Sequence, residues 1–309
     1  MACLASAFVL LGCQAYPEGP RELEVRFANE GVVLAGTLSL PASLGRRRPA
    51  VVFVSGDGPQ DRDGNLGRAG LFHVLADSLL ARGVIVLRHD DRGAGSSSTA
   101  PGPPSYRALL GDTRAALAFV RGRREVDPDR VVLLGHSEGA KTCEALAVED
   151  SKLAGIVLLG GATAVNVDSL LEEQARSNPG GPAAHLLPTL ARAKRGERAQ
   201  GATDLADWMR EHLELPPRRL LPRIRCPVLI VQGGADQLVR EHHAREAAAV
   251  LVAGGNPDVS LRIFPGLSHV FNHWTPGAPR SPELDAADPV VAQAIAEWVF
   301  ARTSATTHP

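Results

Sequence analysis

The sequence predicts a doubly wound, mostly parallel α/β sheet, and three features carry that prediction. Short continuous apolar runs recur at Ala50–Val54, Val84–Leu87, Val131–Leu134, Ile156–Leu159 and Val228–Val231. Such runs belong to strands buried on both faces, as in a parallel sheet. Helix-period segments separate the runs, at about 68–82, 105–122, 138–149, 239–253 and 286–302, and this alternation argues parallel β-α-β units. Ahead of them, Leu23–Phe27 alternates with period two up to Asn29-Glu30-Gly31, and a second alternating run, Val32–Leu40, ends at Pro41. That pattern predicts a hairpin adding antiparallel strands at one edge of the sheet.

One stretch breaks the rhythm. Residues 164–221 hold no buried-strand run, only amphipathic segments rich in Leu, Ala and Arg, punctuated by Pro179-Gly180-Gly181-Pro182's prolines and by Pro216-Pro217.

 A helical insertion between two strands of an otherwise regular sheet reads as a cap over a site. The expected organisation is therefore a short leader and linker at 1–20, a sheet domain at 21–163 and 222–303, and a helical cap at 164–221. Composition narrows the partners. Net charge is −1, and no block of like charge exceeds Arg46-Arg47-Arg48, so a nucleic-acid face is not expected. Cys143 and Cys226 stand alone in apolar surroundings with no histidine at ligand spacing; buried structural thiols are expected, and neither a metal nor a cofactor is implied.

The chemistry lies in a small constellation. Strand residues Arg130–Leu134 run directly into Gly135-His136-Ser137-Glu138-Gly139 and then a helical pattern from Ala140 to Val148. This is G-x-S-x-G in its strand–turn–helix context, a sharp turn that holds a nucleophile at the end of a sheet. Its helix N-terminus favours developing negative charge. A serine needs a base, and the base needs an orienting carboxylate. Val228–Val231 leads through Gln232-Gly233-Gly234-Ala235 to Asp236, and Val259–Phe264 leads through Pro265-Gly266-Leu267-Ser268 to His269. Each lies just past a strand, in the order Ser, Asp, His. Ser137, Asp236 and His269 are the candidate triad.

An oxyanion hole needs two backbone N–H groups. Glu138 supplies one, its side chain being given no further role. The other is expected from Ser55-Gly56-Asp57-Gly58-Pro59, where Asp57 is the first choice and Gly56 the next. Rival groups are assigned blander roles: His136 and His89 to packing, His242 and His243 to a solvated helix face, His273 to a position outside the strand end.

With those residues in hand, the chain resembles bacterial α/β-hydrolase esterases, close to the dienelactone-hydrolase-like and serine-aminopeptidase-like groups. The resemblance covers about residues 22–302 and is carried by the elbow, the Ser55–Gly64 loop and Arg92-Gly93-Ala94-Gly95-Ser96. It implies an α/β-hydrolase fold and a carboxylesterase acting on small or short-acyl esters, with Ser137, Asp236 and His269 matching the triad. Two departures stand out. Ala140 replaces a glycine usual after the elbow, and dienelactone hydrolases use a cysteine where this chain has Ser137. Asp61, Arg62 and Asp63 are expected to order their own loop by ion pairing. Thioesterase, lactonase and serine aminopeptidase remain alternatives on the same machinery, as does a catalytically inactive, lipid-anchored binding protein. An aminopeptidase would need an acid for the substrate's amino group, and Glu172, Glu173 and Asp204 are the cap's candidates.

The N-terminus adds a location. Ala2–Leu11 is apolar and too short to span a bilayer, and Leu10-Leu11-Gly12-Cys13 resembles a bacterial lipobox, although no Lys or Arg precedes it. The expectation is lipidation at Cys13 and tethering in the cell envelope, on the periplasmic side of the outer membrane. Membrane contact would be through that anchor alone. If the segment is no signal, the protein is cytoplasmic. Oligomeric state is left open.

Overall fold

The computed structural model describes residues 19–304, apart from 45, 65–69, 100, 104, 274–276 and 278–284. The lipobox and Cys13 therefore lie outside the described residues. The centre of the fold is an eight-stranded sheet. Its strands are β1 (Arg21–Asn29), β2 (Val32–Leu40), β3 (Arg48–Val54), β4 (Ile85–His89), β5 (Val126–His136), β6 (Gly155–Leu159), β7 (Val228–Gly233) and β8 (Val259–Phe264), in the spatial order β1-β2-β4-β3-β5-β6-β7-β8. β1 and β2 form an antiparallel hairpin at one edge, β2 pairs antiparallel with β4, and the remaining pairs are parallel. This is the α/β-hydrolase architecture.

Burial follows the sequence pattern. β1 alternates between half-buried and exposed positions, as an edge strand with one wet face should. Val51, Val52, Leu133, Leu134 and Ile156 are wholly buried, because helices cover both faces of the central strands. One layer contains α1 (Leu71–Leu80), and another contains α2 (Tyr106–Arg121) and α3 (Glu138–Glu149).

Between β6 and β7 the chain is helical. It forms α4 (Val167–Ser177), α5 (Pro182–Lys194), α6 (Ala206–Glu214) and the short α7 (Pro217–Leu220). α4, α5 and α6 share a small apolar core of their own around Leu171, Leu190 and Met209, separate from the two large clusters that flank the sheet. After β7 come α8 (Glu241–Ala253), β8 and finally α9 (Pro289–Thr303), which packs against α1. Among the described residues no helix is long and apolar enough to cross a membrane.

Candidate active site

Ser137 sits where β5 becomes α3, with φ 54° and ψ −115°. A positive φ is costly for a residue with a side chain and persists only where the surroundings impose it. Here they do. The Ser137 N–H donates to the Leu159 carbonyl at 2.9 Å. Strand and helix are then drawn so close that a Cβ on Gly135 would strike the Gly139 carbonyl, and one on Gly139 would strike the carbonyls of Val54 and Ser55. The glycines of the pentapeptide are demanded by that closeness. Ala140 is fully buried, and the space for its methyl comes from Gly161, where a Cβ would collide with it. The glycine usual at position 140 has, in effect, a substitute across the interface.

The loop after β3 is held from outside. Ser55 Oγ donates to the Asp91 carboxylate at 2.6 Å, and the Gln60 N–H donates to the same group at 2.9 Å. Gly56 then backs onto the nucleophile, since a Cβ there would lie 3.1 Å from Ser137 Cβ. Asp57 and Glu138, whose N–H groups were the expected oxyanion donors, both line the cavity that contains Ser137. Arg62 does more than order its own loop. Its guanidinium spans Asp90 at 2.8 Å and Glu24 at 2.7 Å, while Arg88 pairs with Asp63, so the loop is laced to β1 and β4.

On the far side of Ser137, His269 Nδ1 and Asp236 Oδ2 lie 2.8 Å apart. Asp236 accepts further bonds from the N–H groups of Leu238 and Val239, at 2.8 and 2.9 Å, and from Gln232 Nε2 at 3.0 Å. Burial works to raise its carboxyl, but His269 and those N–H donors outweigh burial and hold it below the usual carboxylate range. An ionised Asp236 then keeps the His269 proton on Nδ1, which leaves Nε2 as the free basic atom. His136 supports this arrangement from below. Its Nε2–H donates to the His269 carbonyl at 3.0 Å, and the two rings lie 4.8 Å apart. Burial, aided by the nearby His269 charge, pulls His136 down to about 3, so it stays neutral.

Ser137 and His269 open into one cavity of about 350 Å³. Its roof comes mainly from the helices after β6 and is largely apolar, with Val167, Leu170, Leu171, Leu186 and Trp208 beside the polar Gln174 and His212. Its floor is polar, with Asp57, Glu138 and Lys141. Asp57 has surface open to the cavity, yet the surrounding protein desolvates its carboxyl enough to raise it. None of the acids proposed from the cap lines this space. Glu172 pairs with Lys194, Asp204 with Arg192 and Glu173 with His243. Nor does His243 lie on a solvated face: it is buried, and only its neighbour His242 is exposed.

The largest omission from the sequence reading is the Glu138 side chain. Its carboxylate is buried and bonded to His212 Nε2, while Lys141 Nζ lies 2.8 Å from His212 Nδ1. One signal was available. Lys141 is one of only three lysines in an arginine-rich chain, and it stands one helical turn after Ser137. His212 lies 71 residues further along the chain, and no spacing rule connects it to the elbow.

A family model described as serine aminopeptidase, S33, matches residues 63–273, a span that includes Ser137, Asp236 and His269. The chain belongs to that family. Among curated relatives, the esterase EstD of Thermotoga maritima is 28% identical over 245 residues, covering 77% of this chain and 58% of its own length. The chain thus spans little more than half of that relative. An uncharacterised Mycobacterium tuberculosis protein is 29% identical over 240 residues, 78% of this chain and 69% of its own. Among solved structures, Est1E of Butyrivibrio proteoclasticus, with ferulic acid bound, superposes with a TM-score of 0.64 at 16% identity, covering 90% of this chain and 98% of that one. A Pyrococcus furiosus esterase gives 0.64 at 16% identity, covering 91% of each chain. At such identities these two structures speak for the fold alone.

Proposed function

We propose that this S33-family α/β-hydrolase is a serine carboxylesterase for small or short-acyl esters. The observation that carries the reading is the single cavity shared by a strained Ser137 and a His269 held by Asp236. In the first step Ser137 Oγ attacks the ester carbonyl and His269 Nε2 takes its proton. Asp236 stabilises the imidazolium, and the N–H groups of Glu138 and of the Gly56-Asp57 loop receive the oxyanion. His269 then protonates the departing alcohol, and water releases the acyl group by the same route in reverse. No cofactor or metal enters these steps. Family membership and the relatives' names support the reading. The largely apolar roof suits an acyl chain, and the charged groups that line the cavity, Asp57, Glu138 and Lys141, come from the core and not from the cap helices.

The test is Ser137→Ala assayed on p-nitrophenyl esters of short acids. A loss of activity on the order of 10⁴-fold or more is expected, and a variant that keeps its rate would sink the mechanism. Aminoacyl anilides belong in the same panel, because turnover of them in preference to esters would make the enzyme a peptidase. A cell-envelope location stays part of this proposal through Cys13, and Cys13→Ala should move the protein from the membrane fraction to the soluble one.

A further inference from the structure

His212 is bonded at both ring nitrogens and lies against two aromatic rings. Lys141 Nζ donates to its Nδ1 at 2.8 Å and to its carbonyl oxygen at 3.0 Å. The Nδ1 atom is therefore an acceptor, the ring proton is on Nε2, and Nε2–H donates to Glu138 Oε1. Its ring lies 3.8 Å, centroid to centroid, from Tyr106 and 4.2 Å from Trp208, tilted against each. Tyr106 opens α2, Glu138 and Lys141 open α3, and Trp208 shares α6 with His212. Only 4% of the His212 side chain is exposed.

Such an arrangement is expensive to assemble, because buried polar groups must be paired to be tolerated. Burial pushes the Glu138 carboxyl well up and pulls Lys141 down to about 8. It also draws His212 far below its usual range. An apolar contact would have fastened α6 to α3 with none of these costs. A stack of hydrophobic residues can slide, whereas this chain of directed bonds fits at one register.

Register matters here because of what α6 carries. Trp208 is one turn before His212 and forms part of the cavity roof, and Glu138, which directly follows Ser137, lines the same cavity and is the residue whose N–H the proposed mechanism assigns to the oxyanion. We propose that the Lys141–His212–Glu138 chain is the joint that fixes the cap's Trp208 wall relative to Ser137, and so sets which acyl groups the enzyme accepts. His212 itself lines the cavity beside Trp208, so it shapes the substrate space directly as well as holding Trp208 in place. The class of substrate follows from the lining: under a largely apolar roof, a cavity of about 350 Å³ suits a compact aromatic or branched acyl group better than a long flexible chain or a highly charged one. The proposal deepens the esterase reading and rests on it for the word acyl, but the joint itself can be tested without catalysis.

The experiment is His212→Ala, with His212→Gln as the milder variant, in the full chain. Hydrogen exchange is measured along Ala206–Glu214, and kcat and KM are measured on p-nitrophenyl acetate and p-nitrophenyl benzoate. In His212→Ala the α6 amides should exchange at least tenfold faster. The benzoate-to-acetate ratio of kcat/KM should fall at least tenfold, mainly through KM for benzoate. Gln can still donate to Glu138, so His212→Gln should recover part of both effects. If His212→Ala fails to fold, the Gln variant decides alone, with a smaller shift in the same direction. Unchanged exchange in α6 would overturn the joint. Faster exchange with equal losses on both esters would overturn its role in selection. Should neither ester be turned over by the parent enzyme, the esterase reading fails while the exchange result still stands for or against the joint.

Discussion

The sheet below Ser137 and the cap above it are held by very different amounts of buried apolar contact. The candidate triad is delivered by short turns from sheet strands: β7 and the last six residues of β5 are buried, while β8, at the sheet edge, is mostly half-buried. Ser137 directly follows β5, Asp236 lies in the turn after β7, and His269 lies in the turn after β8. Each of those strands has a hydrogen-bonded neighbour, and large apolar clusters cover both faces of the sheet. The cap has a small core around Leu171, Leu190 and Met209, and ion pairs such as Arg192–Asp204 and Lys194–Asp168 supplement it. Ion pairs of that exposed kind contribute little stability. Acid–base chemistry needs atoms held within a fraction of an ångström, whereas a wall that selects substrates tolerates more movement. The difference teaches where each task has been placed.

The comparison breaks first at Asp236. Asp236→Asn should lower kcat on the order of 10⁴-fold, because the neutral amide no longer holds the His269 proton on Nδ1. Thermal unfolding should move little by comparison, and a loss of activity explained wholly by unfolding would remove Asp236 from the chemistry. The next largest effect contrasts two leucines. Leu133 is wholly buried in the central strand, and Leu190 is 3% exposed in the cap core. Leu133→Ala should cost about 3–5 kcal/mol of global stability, whereas Leu190→Ala should fall at the low end, ~2 kcal/mol, because a small core can collapse onto the vacancy. Urea unfolding of the two variants measures the gap. Equal losses would mean that the cap is as tightly packed as the sheet.

Legibility in the sequence divides along the same line. The strands under the triad could be read because a strand buried on both faces becomes a continuous apolar run, and Val131–Leu134 and Val228–Val231 are such runs. Asp236 and His269 could be read because this sheet places functional residues just past strand ends, so that short-range spacing is enough to find them. The polar floor could not. The sequence assigns Glu138 only its backbone N–H, because nothing in the elbow says that a histidine from α6 reaches its carboxylate. His243 departs from the sequence expectation for a related reason. Helical periodicity places it beside His242, yet α4 brings Glu173 to 2.9 Å of His243 and buries it. Both misses concern contacts between a cap helix and a core helix, which depend on tertiary docking and leave no periodic trace.

The smallest effect sharpens the comparison through buried histidines, one on each side of the nucleophile. His136 belongs to the sheet and His212 to the cap, and burial lowers both. A histidine held at about 3 in the native state, against the ordinary 6.5, is neutral when folded and protonated when unfolded across that interval. The unfolded chain then holds the extra proton, so stability falls as pH drops from 6.5 toward 3, and below 3 this group takes no more. One such group contributes about 1.4 kcal/mol per pH unit, or roughly 2 kcal/mol between pH 6.5 and 5. Asp236 does not confuse this window. Its carboxyl is held below the usual value, so the stability it provides is present above the unfolded value and is lost only at lower pH. His136→Leu should therefore flatten the pH 5–6.5 slope of urea-unfolding stability by about one proton, whatever it does to the stability at pH 7. His212→Gln should flatten it in the same sense, and by less if the cap opens before the sheet unfolds, because a histidine already exposed by local opening has taken up its proton. Equal slopes for the parent and His136→Leu would show that His136 is not the buried neutral group its surroundings require.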